Sequence, residues 1–330
     1  MSRPVPPLRP ALAVALLGAV AARGGEPSAR LLRTLAGHRA TVEALAFAPT
    51  GELLASGGGY TDGTLKLWDP ETGELLRTVA AHEGSVASIA FAPDGKTLAT
   101  GGKDALVKLW DAATGKLLRT IAGHDGGVNA VAFCPDGKLL GTACDADRAG
   151  NLWKADTGEH LEAMGIRWGA HSCAFGPEGK LLAGGGRFGT VELWTVPAGG
   201  TARRRSVGEG RVTVAWSPDG SMLATTAKGK AIALWTPPRL SRLRVLKPCA
   251  ANSPLAFSPE GTHLAAASDD HAAQLWDPAE GKLLATLEGH RGGIWALAFS
   301  PDGTTLASGS ADHSVKLWDV GPWVGEASQP

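Results

Sequence analysis

From Arg30 onward the chain is a succession of short apolar runs, four to seven residues long, broken by Gly, Pro and Asp. The stretch 289–319 shows the pattern at its clearest. Ile294, Leu297 and Phe299 mark one run, Leu306, Ala307 and Ser308 a second, and Val315, Leu317 and Trp318 a third. Runs of that length between turn residues predict strands rather than helices. A proline–x–glycine turn follows the first run seven times, starting at Pro49, Pro93, Pro135, Pro177, Pro218, Pro259 and Pro301. Proline presets one turn dihedral, and glycine accepts the positive φ that follows. A second turn, such as Ala113-Thr114-Gly115-Lys116, leads into a fourth apolar run at 117–121. Each unit therefore predicts four strands in a meander.

The unit repeats. Trp68, Trp110, Trp153, Trp194, Trp235, Trp276 and Trp318 stand 41 to 43 residues apart. A period of that size marks a repeat architecture. Gly37-His38, Ala81-His82, Gly123-His124 and Gly289-His290 lie 28 to 30 residues ahead of their tryptophans. In these features the chain resembles the WD40 repeat family, from Arg30 to about Val320. The resemblance implies an all-β fold, a seven-bladed β-propeller of four-stranded antiparallel blades. An orphan fourth-strand sequence, residues 31–36, precedes the first unit and matches residues 75–80, while the last unit has only three strands. The N-terminal strand is expected to complete the last blade, which would remove an open sheet edge.

The first residues read as a separate object. Arg3 and Arg9 precede an apolar run over 11–22 that ends in Val20-Ala21-Ala22. About 12 apolar residues fall short of the roughly 20 that span a bilayer, so a signal peptide is the better reading. The expected organisation is a signal peptide at 1–22, a linker at 23–29, the propeller at 30–320 and a tail at 321–330. The protein is expected to be secreted or periplasmic, in the cell envelope, with no stable membrane span after cleavage. Anchoring by an uncleaved N-terminal segment is the alternative.

Composition narrows the partners. Lys and Arg number 32 and Asp and Glu 32. Such a balance has no electrostatic footprint for nucleic acid. Arg203-Arg204-Arg205 reads as a solvated strand or loop. The spacing of Cys134, Cys144, Cys173 and Cys249 matches no zinc motif, and a Cys134–Cys144 disulfide stays open. No metal and no cofactor is expected.

Four units hold a His, a hydroxyl, an Asp and a Trp in register. These are His38, Ser56, Asp62, Trp68; His82, Thr100, Asp104, Trp110; His124, Thr142, Asp147, Trp153; and His290, Ser308, Asp312, Trp318. Asp145 competes with Asp147 in the third set. Ser, His and Asp invite a hydrolase reading. A nucleophile is needed once, however, and this set occurs four times. The resemblance implies a buried structural network instead. Blades 4, 5 and 6 depart from it, with Ile166 and Phe188, Val207 and Gly229, and Pro248 and Ala266 in its slots. They are expected to form a softer arc. No His-Glu-x-x-His, phosphate loop or Gly-x-Ser-x-Gly elbow is present, and an enzyme is not expected.

The resemblance implies that a partner binds the end of the ring where the Gly-His loops lie, around the central funnel. Counting back four residues from the Phe or Trp that ends each first strand gives Glu43, Ala87, Asn129, His171, Val212, Ser253 and Trp295. Lys103 and Arg187 precede the Asp slot in blades 2 and 4. Trp295, Glu43, His171, Arg187, Asn129 and Lys103 are the expected contact residues, because Trp and Arg dominate binding hot spots. Trp168 and Trp323 are extra tryptophans expected to pack locally. The expected function is a monomeric, non-enzymatic protein–protein interaction scaffold that takes a protein or peptide partner. A ligand-binding or hydrolytic propeller using the axial funnel is the alternative.

Overall fold

The computed structural model describes residues 29–144, 146–147, 149–165, 169–196, 201–227, 231–246, 249–250 and 253–324. The expected signal peptide and the positions of Asp145, Ile166, Trp168, Gly229 and Pro248 lie outside the described residues.

The strands follow the apolar runs. After β1 (Arg30–Ala36), blade 1 is β2 (Val42–Phe47), β3 (Leu54–Gly58), β4 (Thr64–Trp68) and β5 (Leu75–Ala80). Blade 2 is β6 (Val86–Phe91), β7 (Thr97–Gly102), β8 (Val107–Asp111) and β9 (Leu117–Ile121). Blade 3 is β10 (Val128–Phe133), β11 (Leu139–Cys144), β12 (Ala149–Lys154) and β13 (His160–Gly165). Blade 4 is β14 (Ala170–Phe175), β15 (Leu181–Gly186), β16 (Thr190–Thr195) and β17 (Thr201–Ser206). Blade 5 is β18 (Thr213–Trp216), β19 (Leu223–Thr226), β20 (Ile232–Thr236) and β21 (Ser241–Leu246). Blade 6 is β22 (Leu255–Phe257), β23 (Leu264–Ala267), β24 (Ala273–Asp277) and β25 (Lys282–Leu287). Blade 7 takes β26 (Ile294–Phe299), β27 (Thr305–Ser310) and β28 (Ser314–Asp319).

Seven four-stranded antiparallel sheets result, and the last has the order β1-β28-β27-β26. The N-terminal strand does complete blade 7: Leu31 pairs with Trp318, Leu35 with Val315 and Ala36 with Ser314. Each first strand touches the first strands of both neighbouring blades, and β26 touches β2. They form the closed inner wall. The fourth strands are largely exposed, as the outer edge must be.

The core lies between blades. Leu35, Val315 and Leu317 pack with Val42, Leu54 and Trp68 across the closing seam. Val107 and Leu109 pack with Val131 and Trp153 in the same way. Second strands keep the blades close. A Cβ at Gly57 would lie 2.8 Å from Val86 Cβ, and one at Gly309 would lie 2.7 Å from Val42 Cγ1. Only glycine permits that approach. The seven proline turns have Gly φ between 70° and 80°, as their chemistry requires. Past β28 comes one helical turn, α1 (Gly321–Val324), whose Trp323 is buried against Trp318, Val320 and Leu306.

Candidate functional site

The inner wall ends in a ring of bulges. The β-ladder between first and second strands breaks register between Val42 and Ala44, Val86 and Ser88, Val128 and Ala130, Ala170 and Ser172, and Ile294 and Ala296. The residue skipped each time is Glu43, Ala87, Asn129, His171 or Trp295. A bulge turns its extra residue out of the sheet pattern. These positions therefore belong to the mouth of the funnel rather than to the blade cores. Blades 5 and 6 differ from the sequence expectation. Their first strands start only at Thr213 and Leu255, and Val212 and Ser253 are buried instead.

Trp295 is 58% exposed although it sits in a paired strand. Glu43 occupies the equivalent position across the closing seam. Its carboxylate folds over the blade 1 loop, where a Cβ at Gly59 would lie 2.8 Å from Glu43 Oε1. Lys103 Nζ donates to Asn129 Oδ1, and Asn129 Nδ2 donates to the Ala170 carbonyl at 3.1 Å. Lys103 and Asn129 thus work as one strut linking blades 2, 3 and 4. His171 is half-buried and Arg187 exposed, with the Arg187 N–H bonded to Gly169 O at 3.1 Å. Two exposed aromatics were not among the expected contact residues. Tyr60 is 78% exposed in the loop before Asp62, and Phe188 is 59% exposed beside Arg187. The signal was there: an aromatic side chain inside turn chemistry has no core to enter.

The four His-hydroxyl-Asp-Trp sets assemble as expected. His38 Nδ1 is 2.6 Å from Asp62 and its Nε2 is 2.7 Å from Ser56 Oγ, which accepts from Trp68 Nε1 at 2.7 Å. His82 lies 2.8 Å from Asp104 and 2.7 Å from Thr100, and Trp110 donates to Thr100 at 2.9 Å. His290 lies 2.8 Å from Asp312 and 2.7 Å from Ser308, and Trp318 donates to Ser308 at 2.8 Å. In blade 3 Asp147 takes the acid's place beside His124; Thr142 Oγ1 lies 2.9 Å from His124 Nε2 and 2.9 Å from Trp153 Nε1. The hydroxyl-bearing residues Ser56, Thr100, Thr142 and Ser308 are 0% exposed. An oxygen so enclosed reaches no substrate; it satisfies an indole and an imidazole inside a dry blade.

Blade 5 keeps a remnant, Trp235 Nε1 to Thr225 Oγ1 at 2.9 Å. Blade 6 does not: Ala266 fills the hydroxyl slot, and the buried Trp276 Nε1 has no partner among the described residues. Supplying the acceptor by Ala266→Ser is expected to stabilise the protein by about 1 kcal/mol. A chemical denaturation midpoint that does not rise would contradict this account of the slot.

Charge in the networks fixes an acid response. Burial lowers the affinity of His38, His82 and His290 for a proton below the usual 6.5, outweighing the aspartates that would raise it. For Asp62 and Asp312, burial alone would raise the carboxyl. Hydrogen bonds from Thr64, Ser314, the backbone N–H groups of Arg39 and Arg291, and the histidines outweigh it and hold both below the usual 3.8. The unfolded chain therefore binds more protons than the folded one as pH falls, first through the histidines and then through the acids. Thermal melting followed by circular dichroism should show a midpoint that drops as pH falls through about 6.5 and again below about 4. A midpoint that rises between pH 7 and 5 would be incompatible with neutral buried imidazoles.

The remaining candidates are quieter. All four cysteines are free. Desolvation raises the Cys173 and Cys249 thiols to about 12. Arg203, Arg204 and Arg205 lie exposed on β17; Arg204 pairs with Glu192 at 3.1 Å and Arg205 covers the Trp235 ring. Among the described residues, no helix is long and apolar enough to cross a membrane.

The family model for the WD domain, G-beta repeat, matches residues 29–69, 73–111, 115–154, 205–236, 255–277 and 281–319. The chain belongs to the WD40 repeat family. The longest unmatched stretch, 155–204, holds most of blade 4, where Phe188 and Gly184 replace the Asp and the hydroxyl. A WD40 blade can thus lose its signature and keep its sheet, because the inter-blade contacts of Leu182, Trp194 and Leu193 remain. No curated protein matches the chain.

Proposed function

We propose that this WD40 propeller is an exported, non-enzymatic scaffold that binds a protein or peptide partner at the funnel mouth. WD40 propellers commonly mediate protein–protein interaction, and one observation supports a contact at this end of the ring: the exposed Trp295 on a bulge of the inner wall. A large indole held on a rigid strand loses little entropy when a partner covers it. Glu43 and Arg187 add charges of both signs around the same opening, His171 adds an imidazole, and Tyr60 and Phe188 widen the aromatic rim. The pairing of Lys103 with Asn129 stiffens one side of that rim. Export rests on Arg3, Arg9 and the short apolar run at 11–22.

The test compares immobilised wild type and Trp295→Ala for capture of cross-linked partners from the cell envelope. Binding is expected to weaken at least about 30-fold, the effect of losing a hot-spot residue. The melting midpoint should stay put, since an exposed side chain contributes little to stability. Equal capture by both proteins would dismiss Trp295 as the centre. Intact mass of the mature chain tests export; loss of residues 1–22 is expected, and a full-length cytoplasmic chain would count against it.

A further inference from the structure

Blade 3 departs from blades 1, 2 and 7 in two side chains that meet at one point. The first is the last residue of β11. Pairing with the first strand makes Gly58, Gly102, Cys144 and Ser310 equivalent. A Cβ at Gly102 would lie 2.1 Å from His82 Nδ1 and 2.5 Å from Asp104 Oδ1, and one at Gly58 would lie 2.5 Å from Asp62 Oδ2. This position therefore aims at the His–Asp pair. Blade 3 puts a thiol there, and its loop from Thr142 to Asp147 is one residue longer than that from Thr100 to Asp104. Donor atoms of His124, Cys144 and Asp147 all lie within 4.8 Å of one another.

The second departure is on β12. Two residues before the tryptophan, the other complete blades carry Lys66, Lys108 and Lys316, each a positive charge felt by its blade's histidine. Blade 3 carries Asn151. Its Nδ2 donates to Asp147 Oδ2 at 3.0 Å, and its Oδ1 lies 3.0 Å from His160 Nε2. A fixed cation is thus withdrawn where a soft donor is added. The simpler reading treats Cys144 as a serine: its Sγ faces the Gly126 carbonyl at 3.2 Å, as Ser310 Oγ faces Gly292 at 2.8 Å. That reading explains the thiol but leaves the exchanged lysine without a reason.

We propose that blade 3 binds a borderline-soft divalent cation, with Zn²⁺ as the probe, through Cys144 Sγ, His124 Nδ1 and an Asp147 carboxylate oxygen. One sulfur, one imidazole nitrogen and one carboxylate, with water in the fourth position, suit zinc. The thiol proton leaves to solvent. The imidazole proton moves to Nε2, which faces Thr142 Oγ1 at 2.9 Å; the Thr142 hydroxyl turns to the Asn151 carbonyl at 3.4 Å and still accepts from Trp153. Thiolate and carboxylate balance the cation's charge, and Thr142 orients the ligating ring. A surface pocket lined by Asp125, Asp147, Asn151, Trp153 and His160 supplies the entry path. This site is independent of the partner surface at the funnel mouth.

The experiment titrates the full chain with Co²⁺ and follows the near-ultraviolet thiolate-to-cobalt charge-transfer band, then displaces Co²⁺ with Zn²⁺. Wild type is expected to give one equivalent of band, bleached by Zn²⁺. A variant with Cys134→Ala, Cys173→Ala and Cys249→Ala should keep it. Cys144→Ser should lose it, with Zn²⁺ affinity down at least about tenfold. Absence of the band in wild type, its survival in Cys144→Ser or its loss from the triple variant overturns the proposal. Wild type and the triple variant decide the matter if Cys144→Ser does not fold.

Discussion

Deletion of residues 30–36 is expected to abolish the single cooperative melting transition and to drive the protein into higher-order species on size exclusion. The strand supplies the whole outer edge of blade 7, paired from Arg30 with Asp319 to Ala36 with Ser314. It also brings Leu35, 3% exposed, into the seam with Val315, Leu317 and Trp68. Truncating one such leucine costs roughly 2–5 kcal/mol. A domain's entire stability is about 5–15 kcal/mol. Removal of the strand also bares the N–H and C=O groups of β28, which invite another chain to pair. A deletion variant that stays monomeric and melts like wild type would mean that blade 7 closes by three strands alone.

The second large effect is Trp110→Ala, expected to cost about 3–5 kcal/mol. Trp110 is 3% exposed and packs with Leu65, Leu67 and Ile89, so its loss opens a void between blades 1 and 2. It also strips Thr100 of a donor. Trp110→Phe keeps an aromatic ring between the blades but loses the N–H and part of the indole's buried volume. That variant should lose more than the about 1 kcal/mol of the hydrogen bond and less than the alanine variant. Denaturation midpoints measure both. If Ala and Phe cost the same, packing is not what the tryptophan provides.

The ring was legible because its determinants are local and repeated. Seven proline turns and seven tryptophans state the strand order, and residues 31–36 state the closure by copying residues 75–80. The four networks were legible for the same reason. The site was less so. Exposure at Trp295 depends on a bulge between Ile294 and Ala296, and no residue type announces a bulge. The residue counted back four falls on a bulge in five blades. It does not at Val212 and Ser253, where the first strands start late and the counted residue turns inward. The donors of blade 3 escaped a spacing rule because His124 and Cys144 stand on opposite sides of a hairpin, brought together by register rather than by sequence.

The closure of blade 7 has a consequence for how the protein comes into being. A ribosome emits Leu35 about 280 residues before its partner Val315, so the first strand of the ring has nothing to pair with while the intervening blades are made. Contacts between distant parts of a chain form slowly. The ring therefore closes by a late joining of its first strand to its seventh blade, and until then an open arc carries an unsatisfied sheet edge prone to pair with other chains.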